Sequence, residues 1–122
     1  MLTETTLRKP FIRALKMYGG DVTPYVGSKM GREGTSDIWL AHKKWSGWIE
    51  FKGPKTPLKP LQKQFIRIQR ARLVNALVVR FLDNTTYTLN ENGFEVSWDT
   101  GADILADLCM TNCLDTEVEY LK

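Results

Sequence analysis

Four polar side chains stand at spacings that could bring them together for chemistry on a phosphate. Asp37 follows a glycine-containing segment, and Glu50 and Lys52 lie two residues apart in an apolar one. Gln62 follows Pro60, at the predicted start of a helix. Because side chains alternate between the faces of a strand, Glu50 and Lys52 share one face. Paired carboxylates next to an ammonium group are typical of sites that hold Mg²⁺ against a phosphate.

A hairpin is predicted to bring the two acids together. The segments 37–42 and 47–52 have the pattern of strands, and the polar segment 43–46 between them predicts a tight connection. Folding back about this turn brings Asp37 alongside Glu50. Two neighbouring carboxylates repel each other and raise a pKa unless a cation lies between them. A divalent ion with oxygen ligands removes that conflict.

The predicted metal site has four oxygen donors, and two further side chains assist it. The donors are Asp37, Glu50, the backbone carbonyl of Phe51 and, from the first helix, Glu4. We expect Lys52 to act on the attacking water or on the phosphate, since it carries a compact positive charge. Gln62 is expected to orient a water or a metal-bound group by hydrogen bonding.

The pair Glu-x-Lys is common by chance, whereas the whole string is specific. The segments Gly34–Leu40, Trp48–Pro54 and Leu58–Gln62 together resemble the virus-type replication-repair nuclease (VRR-Nuc) branch of the PD-(D/E)xK superfamily. The first-helix acid of that family is matched by Glu4. Ser36 departs from the family pattern, which often has Pro before the Asp. The resemblance covers about residues 4–81.

The resemblance implies an α/β fold with a restriction-endonuclease-like core. In this core a mixed β-sheet is flanked by helices in the order α-β-β-β-α-β. It implies one or two Mg²⁺ or Mn²⁺ ions and hydrolysis of DNA phosphodiester bonds. Asp37, Glu50 and Lys52 would carry the chemistry, with Glu4 and Gln62 assisting. Stand-alone members of phage type are expected to be homodimers that act on branched DNA such as Holliday junctions.

The elements that must position these residues are also predicted. Leu7 and Phe11 begin a helical spacing that closes at Gly19-Gly20, and Pro10 means that this helix either begins near Lys9 or is kinked. Further predicted elements are a strand at 21–26, a helix at 61–73 and a strand buried on both faces at 76–81.

The last third of the chain carries a weaker signal. Residues 86–89 and 94–98 flank the predicted turn 90–93, and Thr100 is predicted to cap a short helix through Cys109. We therefore divide the chain into a nuclease-like core, 1–82, and an acidic C-terminal extension, 83–122, packed on the same single domain. Cys109 and Cys113 are expected to be buried or half-buried free thiols, and His42, the only histidine, is expected to be structural.

Charge is distributed unevenly along the 122 residues. Residues 1–80 carry 16 Lys/Arg and 5 Asp/Glu, whereas residues 81–122 carry one Lys and 9 Asp/Glu. A field that positive attracts a polyanion, and nucleic acid is the favoured partner over a merely solvated basic face. The predicted DNA-binding residues are Lys29, Arg32, Lys55, Lys59, Lys63 and Arg67, with Arg70 on the same helical stripe as the last three.

Composition limits the remaining possibilities. Hydrophobic residues make up 43% of the chain, enough for a packed core, and no stretch approaches the roughly 18 apolar residues of a membrane span. The N-terminus lacks the pattern of a secretory signal, so an intracellular, cytoplasmic protein is expected, in the host cytoplasm if it is phage-encoded. Trp39, Trp45 and Trp48 are expected to pack in the core or at a dimer contact rather than to stack on bases.

Three alternatives to the metal-dependent endonuclease stay open at this point. The first is a non-catalytic DNA-binding domain that keeps the fold. The second is an exonuclease or flap nuclease of the same family. The third is an RNA-processing endonuclease.

Overall fold

The computed structural model describes residues 4–25, 34–84, 86–90, 92–95, 101–111 and 113–114. Within them three helices and six strands follow one another along the chain. In order they are α1 (Glu4–Met17), β1 (Asp21–Pro24), β2 (Ile38–Ala41), β3 (Gly47–Lys52), α2 (Pro60–Ala71), β4 (Ala76–Phe81), β5 (Thr86–Leu89), β6 (Asn92–Glu95) and α3 (Gly101–Met110). No helix of this part of the chain combines the length and the hydrophobicity needed to cross a lipid bilayer.

The six strands form one mixed sheet in which spatial order equals chain order. Strands β3 and β4 are parallel, and every other neighbouring pair is antiparallel. A parallel connection requires a crossover, which α2 supplies between β3 and β4. The predicted mixed sheet flanked by helices is confirmed. The strand bounds predicted for β3, β4 and β5 agree with the structure.

One face of the sheet packs against α1 and α3 and forms the larger hydrophobic core. Phe11 of α1 lies at its centre, fully buried, with edge-to-face contacts to Phe51, Phe81 and Tyr87 at ring-centroid distances of 5.6, 5.9 and 5.6 Å. Helix α3 adds buried apolar side chains to the same core. Phe51 therefore points away from Glu50 and Lys52, as the alternation of a strand predicts.

The other face packs against α2. Ile66 of α2 and Leu58 of the preceding loop bury against Ala76 and Val78 of β4. Because the opposite face of β4 contributes to the larger core, this strand is covered on both sides. That double burial explains its unbroken apolar sequence.

Helix α1 corrects one of the two alternatives for Pro10. The helix begins at Glu4 and Pro10 lies inside it, so a start near Lys9 is wrong. Pro10 has no amide hydrogen and removes one helical hydrogen bond. Leu7 and Phe11, one turn apart on either side of it, are both buried. Burial of each contributes about 2 kcal/mol, which offsets that loss. Gly19, at φ +86°, ends the helix as the predicted C-cap.

Several boundaries differ from prediction by a few residues. Strand β1 ends at Pro24, and Val26 lies outside the described residues. Helix α2 ends at Ala71 because Leu73 takes the left-handed conformation, at φ 62°. The last hairpin is tighter than predicted, since Asn92 pairs with Leu89 and already belongs to β6. Residues 96–98 and the cap predicted at Thr100 lie outside the described residues.

Candidate active site

The β2–β3 hairpin sets the two predicted acids side by side. Its register pairs Ile38 with Ile49, which places Asp37 opposite Glu50. The Oδ2 atom of Asp37 accepts a hydrogen bond from the backbone amide of Phe51 at 2.8 Å. A side-chain carboxylate thereby takes the place of the next carbonyl in the ladder, and this contact fixes the Asp37 side chain.

The loop before Asp37 is held from both sides. The backbone amide of Tyr25 donates to the carbonyl of Asp37 at 2.8 Å. Gly34 has a left-handed backbone, at φ +91°, and a Cβ added to it would lie 2.6 Å from the carbonyl oxygen of Leu61. Only glycine satisfies both the conformation and the lack of space. Ser36, the departure from the family pattern, is buried.

Glu50 has the most unusual environment of the site. It is 2% exposed, and its Oε2 is the buried side-chain oxygen that has no hydrogen-bond partner in the described residues. The pKa of Glu50 is raised from 4.5 to about 9, chiefly by burial and in addition by the hydrogen bond and negative charge of Asp37. The positive charge of Lys52 acts in the opposite direction. The metal-free cleft therefore keeps a proton on the acid pair at neutral pH.

A cleft of about 140 Å³ gathers the five side chains predicted to be catalytic. Its lining residues are Glu4, Asp37, Glu50, Phe51, Lys52, Gly53, Thr56 and Gln62. Four parts of the chain contribute to it: the first turn of α1, the start of β2, the end of β3 with the loop that follows, and the first turn of α2. Glu4 and Gln62, which are 58 positions apart in sequence, thus meet at one end of β3.

Gln62 performs a structural task as well as lining the cleft. Its Oε1 accepts a hydrogen bond from the backbone amide of Lys59 at 2.9 Å, as in a capping box. This bond fixes the side chain and leaves its amide NH₂ as the hydrogen-bond donor of that group. The sequence contains this signal. Gln62 lies three residues after Lys59, the N-cap of α2, and a glutamine at that position commonly completes a capping box.

Arg8 is a site residue that the sequence analysis missed. Its Nη1 lies 3.6 Å from Oε1 of Glu4 and 3.9 Å from Oδ1 of Asp37, and its guanidinium lies 5.8 Å from the ring centroid of Phe51. The spacing of Glu4 and Arg8, one helical turn, could have indicated the first of these contacts. The contact to Asp37 depends on how α1 packs on the sheet.

Arg80 is a second residue that the sequence analysis missed. Its Nη1 donates to the carbonyls of Gly53 and Thr56, both at 2.7 Å. These two residues line the cleft, so Arg80 shapes its wall from the neighbouring strand, where it pairs with Lys52. A single charged residue in the apolar run of β4 was the available signal.

The structure describes four of the six predicted DNA-binding residues. Lys55, Lys59 and Arg67 are exposed and Lys63 is half-buried, whereas Lys29 and Arg32 lie outside the described residues.

Arg70 corrects the predicted stripe on α2. It is 1% exposed, with Nε donating to the carbonyl of Ala76 at 2.8 Å and Nη2 donating to Oδ1 of Asn90 at 2.9 Å. These bonds join α2 to the start of β4 and to the last hairpin. Arg70 is therefore a structural residue, and its place in a DNA-binding stripe is wrong.

The acid pair fits a divalent cation in one respect and is incomplete in another. The unpartnered Oε2 of Glu50, beside Asp37, is the kind of oxygen that a hard cation binds. Within the described residues, however, no three Asp, Glu, His or Cys side chains form a cluster that could hold a metal ion. Glu4 lines the same cleft and is paired with Arg8.

Trp39, Trp45 and Trp48 pack within the protein. Trp45 is buried in the larger core, as expected. Trp39 and Trp48 are half-buried, with ring centroids 5.0 Å apart, and Trp48 also contacts Phe65 of α2 at 5.2 Å and Tyr25 at 5.1 Å.

A second cavity, of about 210 Å³, lies at the other end of α1. Its lining residues are Tyr18, His42, Lys43, Lys44, Ala102, Leu105, Ala106 and Cys109. Nε2 of His42 lies 2.9 Å from the carbonyl of Tyr18, and Nδ1 accepts the amide of Lys44 at 3.0 Å. These contacts confirm the structural role expected for His42. Cys109 and Cys113 are free thiols; Cys113 is buried as predicted, whereas Cys109 is exposed, so the burial predicted for it is wrong.

Comparison with known proteins shows what the fold is similar to. The structure matches Hjc from Archaeoglobus fulgidus, a Holliday junction resolvase from an archaeal hyperthermophile, with a TM-score of 0.53. The match covers 85% of this chain and 98% of that chain, at 16% sequence identity. No protein-family profile and no curated protein matches the sequence. At this identity the likeness shows the fold.

Proposed function

We propose that this protein is a divalent-metal-dependent DNA endonuclease of the PD-(D/E)xK type, of the VRR-Nuc kind in its motif. The observation that carries the proposal is the pairing of buried Glu50 with half-buried Asp37, with an oxygen of Glu50 lacking a partner in the described residues and Lys52 beside it. Burial of the Glu50 carboxyl group beside a second carboxyl group costs free energy in the metal-free protein. Such an arrangement is typical of a site built for a cation.

Asp37 and Glu50 would hold the ion, with the carbonyl of Phe51 as a third oxygen donor and Glu4 as a further carboxylate. Mg²⁺ or Mn²⁺ bound there would polarise the phosphate and lower the pKa of a bound water. Glu50 must lose its proton before its carboxylate can bind the ion.

The remaining cleft residues orient the reactants. Lys52 is 8% exposed, so its ammonium group acts in surroundings with little water and can donate to the attacking water or to a phosphate oxygen. The NH₂ group of Gln62 stands ready to position a water, since its Oε1 is held by the cap of α2. Arg80 keeps the Gly53–Thr56 wall in place.

The substrate class we propose is branched DNA, and the acting species is a homodimer. The fold likeness to a Holliday junction resolvase supports this class, together with the exposed basic residues Lys55, Lys59 and Arg67. We assign the nuclease core to residues 1–82 and regard 83–122 as an extension packed on it.

The test is cleavage of a labelled four-way junction, a flap and a plain duplex, each with Mg²⁺ and with EDTA. We expect Mg²⁺-dependent cuts within the junction and none with EDTA. Glu50→Ala should reduce the rate by at least about 100-fold while leaving DNA binding intact. Asp21→Asn, an exposed acid on β1, is the matched control and should cleave like the wild type.

Each alternative predicts a different result. DNA binding without cleavage under any metal condition would show a non-catalytic domain. Cleavage of the flap, or stepwise shortening from a DNA end, would show a flap nuclease or an exonuclease. Cuts in RNA alone would show an RNA-processing enzyme.

A further inference from the structure

The guanidinium of Arg8 stands between two of the acids that line the cleft. It lies 3.6 Å from Glu4 on its own helix and 3.9 Å from Asp37 at the start of β2. The Arg8 side chain is 22% exposed, so this charge is largely withdrawn from solvent. An ion pair within a single helix turn would explain the first contact, but the second joins α1 to the sheet.

The position of Arg8 is determined by three groups from three elements. Besides the two carboxylates, its guanidinium lies 5.8 Å from the ring centroid of Phe51, the residue whose amide holds Asp37. A cation above an aromatic ring is attracted to its face, and a planar guanidinium suits that contact. Arg8 is therefore held at the cleft rather than extended freely into water.

The net charge of the cleft becomes positive when a divalent cation binds to its ionised carboxylates. Three acids, Glu4, Asp37 and Glu50, and one base, Lys52, line it, and Arg8 lies beside it. With all of these groups ionised they carry one net negative charge, and a divalent cation makes the sum one positive charge. That positive charge balances the single negative charge of one phosphodiester. Arginine cannot relieve the repulsion by losing a proton, so its guanidinium must find another anion.

We propose that Arg8 is the counter-ion of the metal-free cleft and a phosphate-binding residue of the loaded one. It pairs with Glu4 and Asp37 until a divalent cation takes over these carboxylates, and it then binds a non-bridging oxygen of the DNA phosphate. This inference rests on the proposed function and adds a residue and a role to it. The paired N–H groups of a guanidinium match the spacing of two phosphate oxygens.

The test compares Arg8→Gln with Arg13→Gln, which removes the same charge from an exposed position of the same helix. Titration calorimetry with Mn²⁺ alone measures metal affinity without DNA. Single-turnover cleavage of a four-way junction at saturating Mn²⁺ measures the chemical step. Circular dichroism checks that each variant is folded.

Arg8→Gln should bind Mn²⁺ about 3- to 10-fold more tightly, because a competing cation about 4 Å from the ligand is gone. Its single-turnover rate should fall at least about 10-fold, because a phosphate donor is lost. Arg13→Gln should match the wild type in both measurements. A merely structural ion pair would not produce tighter metal binding together with slower cleavage.

If the wild type is active, two results would overturn this inference and leave the proposed function standing. One is an unchanged or weaker Mn²⁺ affinity of Arg8→Gln, and the other is an unchanged single-turnover rate of that variant. If Arg8→Gln does not fold, Arg8→Lys carries the test. That variant keeps the charge but loses the planar fork, so Mn²⁺ affinity should stay near that of the wild type and the rate should fall. An unchanged rate in Arg8→Lys would then overturn the inference. A wild-type protein that takes up no Mn²⁺ and cuts no junction overturns the proposed function and this inference together.

Discussion

Glu50 is a carboxyl group that folding removes from water and places beside another carboxyl group. Its pKa rises to about 9, mainly because burial disfavours the charged form, and the neighbouring Asp37 adds to the effect. The folded protein therefore holds a proton that the unfolded chain releases near pH 4.5. The acid pair is tolerated because the surrounding sheet and two helices stabilise the fold.

The first prediction is that the metal-free protein loses stability as pH rises from 5 to 8. Between pH 4.5 and about 9 the folded state binds more protons than the unfolded state, so the free energy of unfolding decreases with pH. The slope contributed by Glu50 is up to about 1.4 kcal/mol per pH unit. Glu50→Gln, which cannot ionise, should flatten it. Urea unfolding at pH 5, 6, 7 and 8 in EDTA measures the effect.

Asp21→Asn serves as the control, since it removes a carboxylate from an exposed position and should keep the wild-type slope. Burial also raises the pKa of Cys113, to about 11, but that thiol affects stability only above pH 9 and does not enter this window. Equal slopes for the wild type and Glu50→Gln would mean that Glu50 is not buried as a neutral acid.

At the scale of elements, α2 carries Gln62 to the cleft at its first turn, and a residue with a strained backbone follows its C-terminus. Leu73 follows the helix with φ 62°, although its side chain is 78% exposed and packs on little. A left-handed conformation costs a residue with a Cβ about 1 kcal/mol or more, and glycine has no such cost. The end of α2 is therefore below its optimal stability.

The second prediction is that Leu73→Gly stabilises the protein by about 1 kcal/mol, with no effect on cleavage. Arg72→Gly is the matched control. Arg72 has an ordinary φ of −91°, so glycine there should destabilise by about 0.5 kcal/mol or more. Urea unfolding of both variants measures the difference. Destabilisation by Leu73→Gly would show that Leu73 does not take the left-handed conformation.

The sequence predicted the elements well where apolar periodicity was strong. Strands β3, β4 and β5 and the closing glycine of α1 follow from local pattern alone. Arg8, Arg70 and Arg80 were missed or misassigned, because each is defined by contacts between elements distant in sequence. An arginine on an amphipathic helix has the same local signature whether it faces solvent or lies buried like Arg70.

At the scale of the whole molecule, basic charge dominates the first 80 residues and acidic charge the rest. Two pairs of exposed bases in this segment lie in distinct places. Lys59 and Arg67 belong to the α2 region, beside the candidate active site, whereas Lys43 and Lys44 lie in the β2–β3 turn, at the second cavity. If net charge alone attracts DNA, both pairs of bases should contribute equally to binding. If DNA follows α2, only Lys59 and Arg67 should contribute.

The third prediction concerns the salt dependence of DNA binding. The double variant Lys59→Ala/Arg67→Ala should weaken binding to a four-way junction, in Ca²⁺ to prevent cleavage. It should also reduce the slope of log affinity against log salt by about 2, one for each lost phosphate contact. Lys43→Ala/Lys44→Ala removes the same charge elsewhere and should leave the slope nearly unchanged. Fluorescence anisotropy over a range of salt concentrations measures both, and equal effects would contradict a path along α2.

Gly34 links the two sides of the cleft mechanically. Gly34 lies three residues before Asp37, and Leu61 lies one residue before Gln62. The backbone of Gly34 is so close to the carbonyl of Leu61 that a methyl group would not fit between them. This contact keeps the segment that carries the carboxylate of Asp37 at a fixed distance from the helix that carries the amide of Gln62. A larger residue at position 34 would change the gap between the carboxylate of Asp37 and the amide of Gln62.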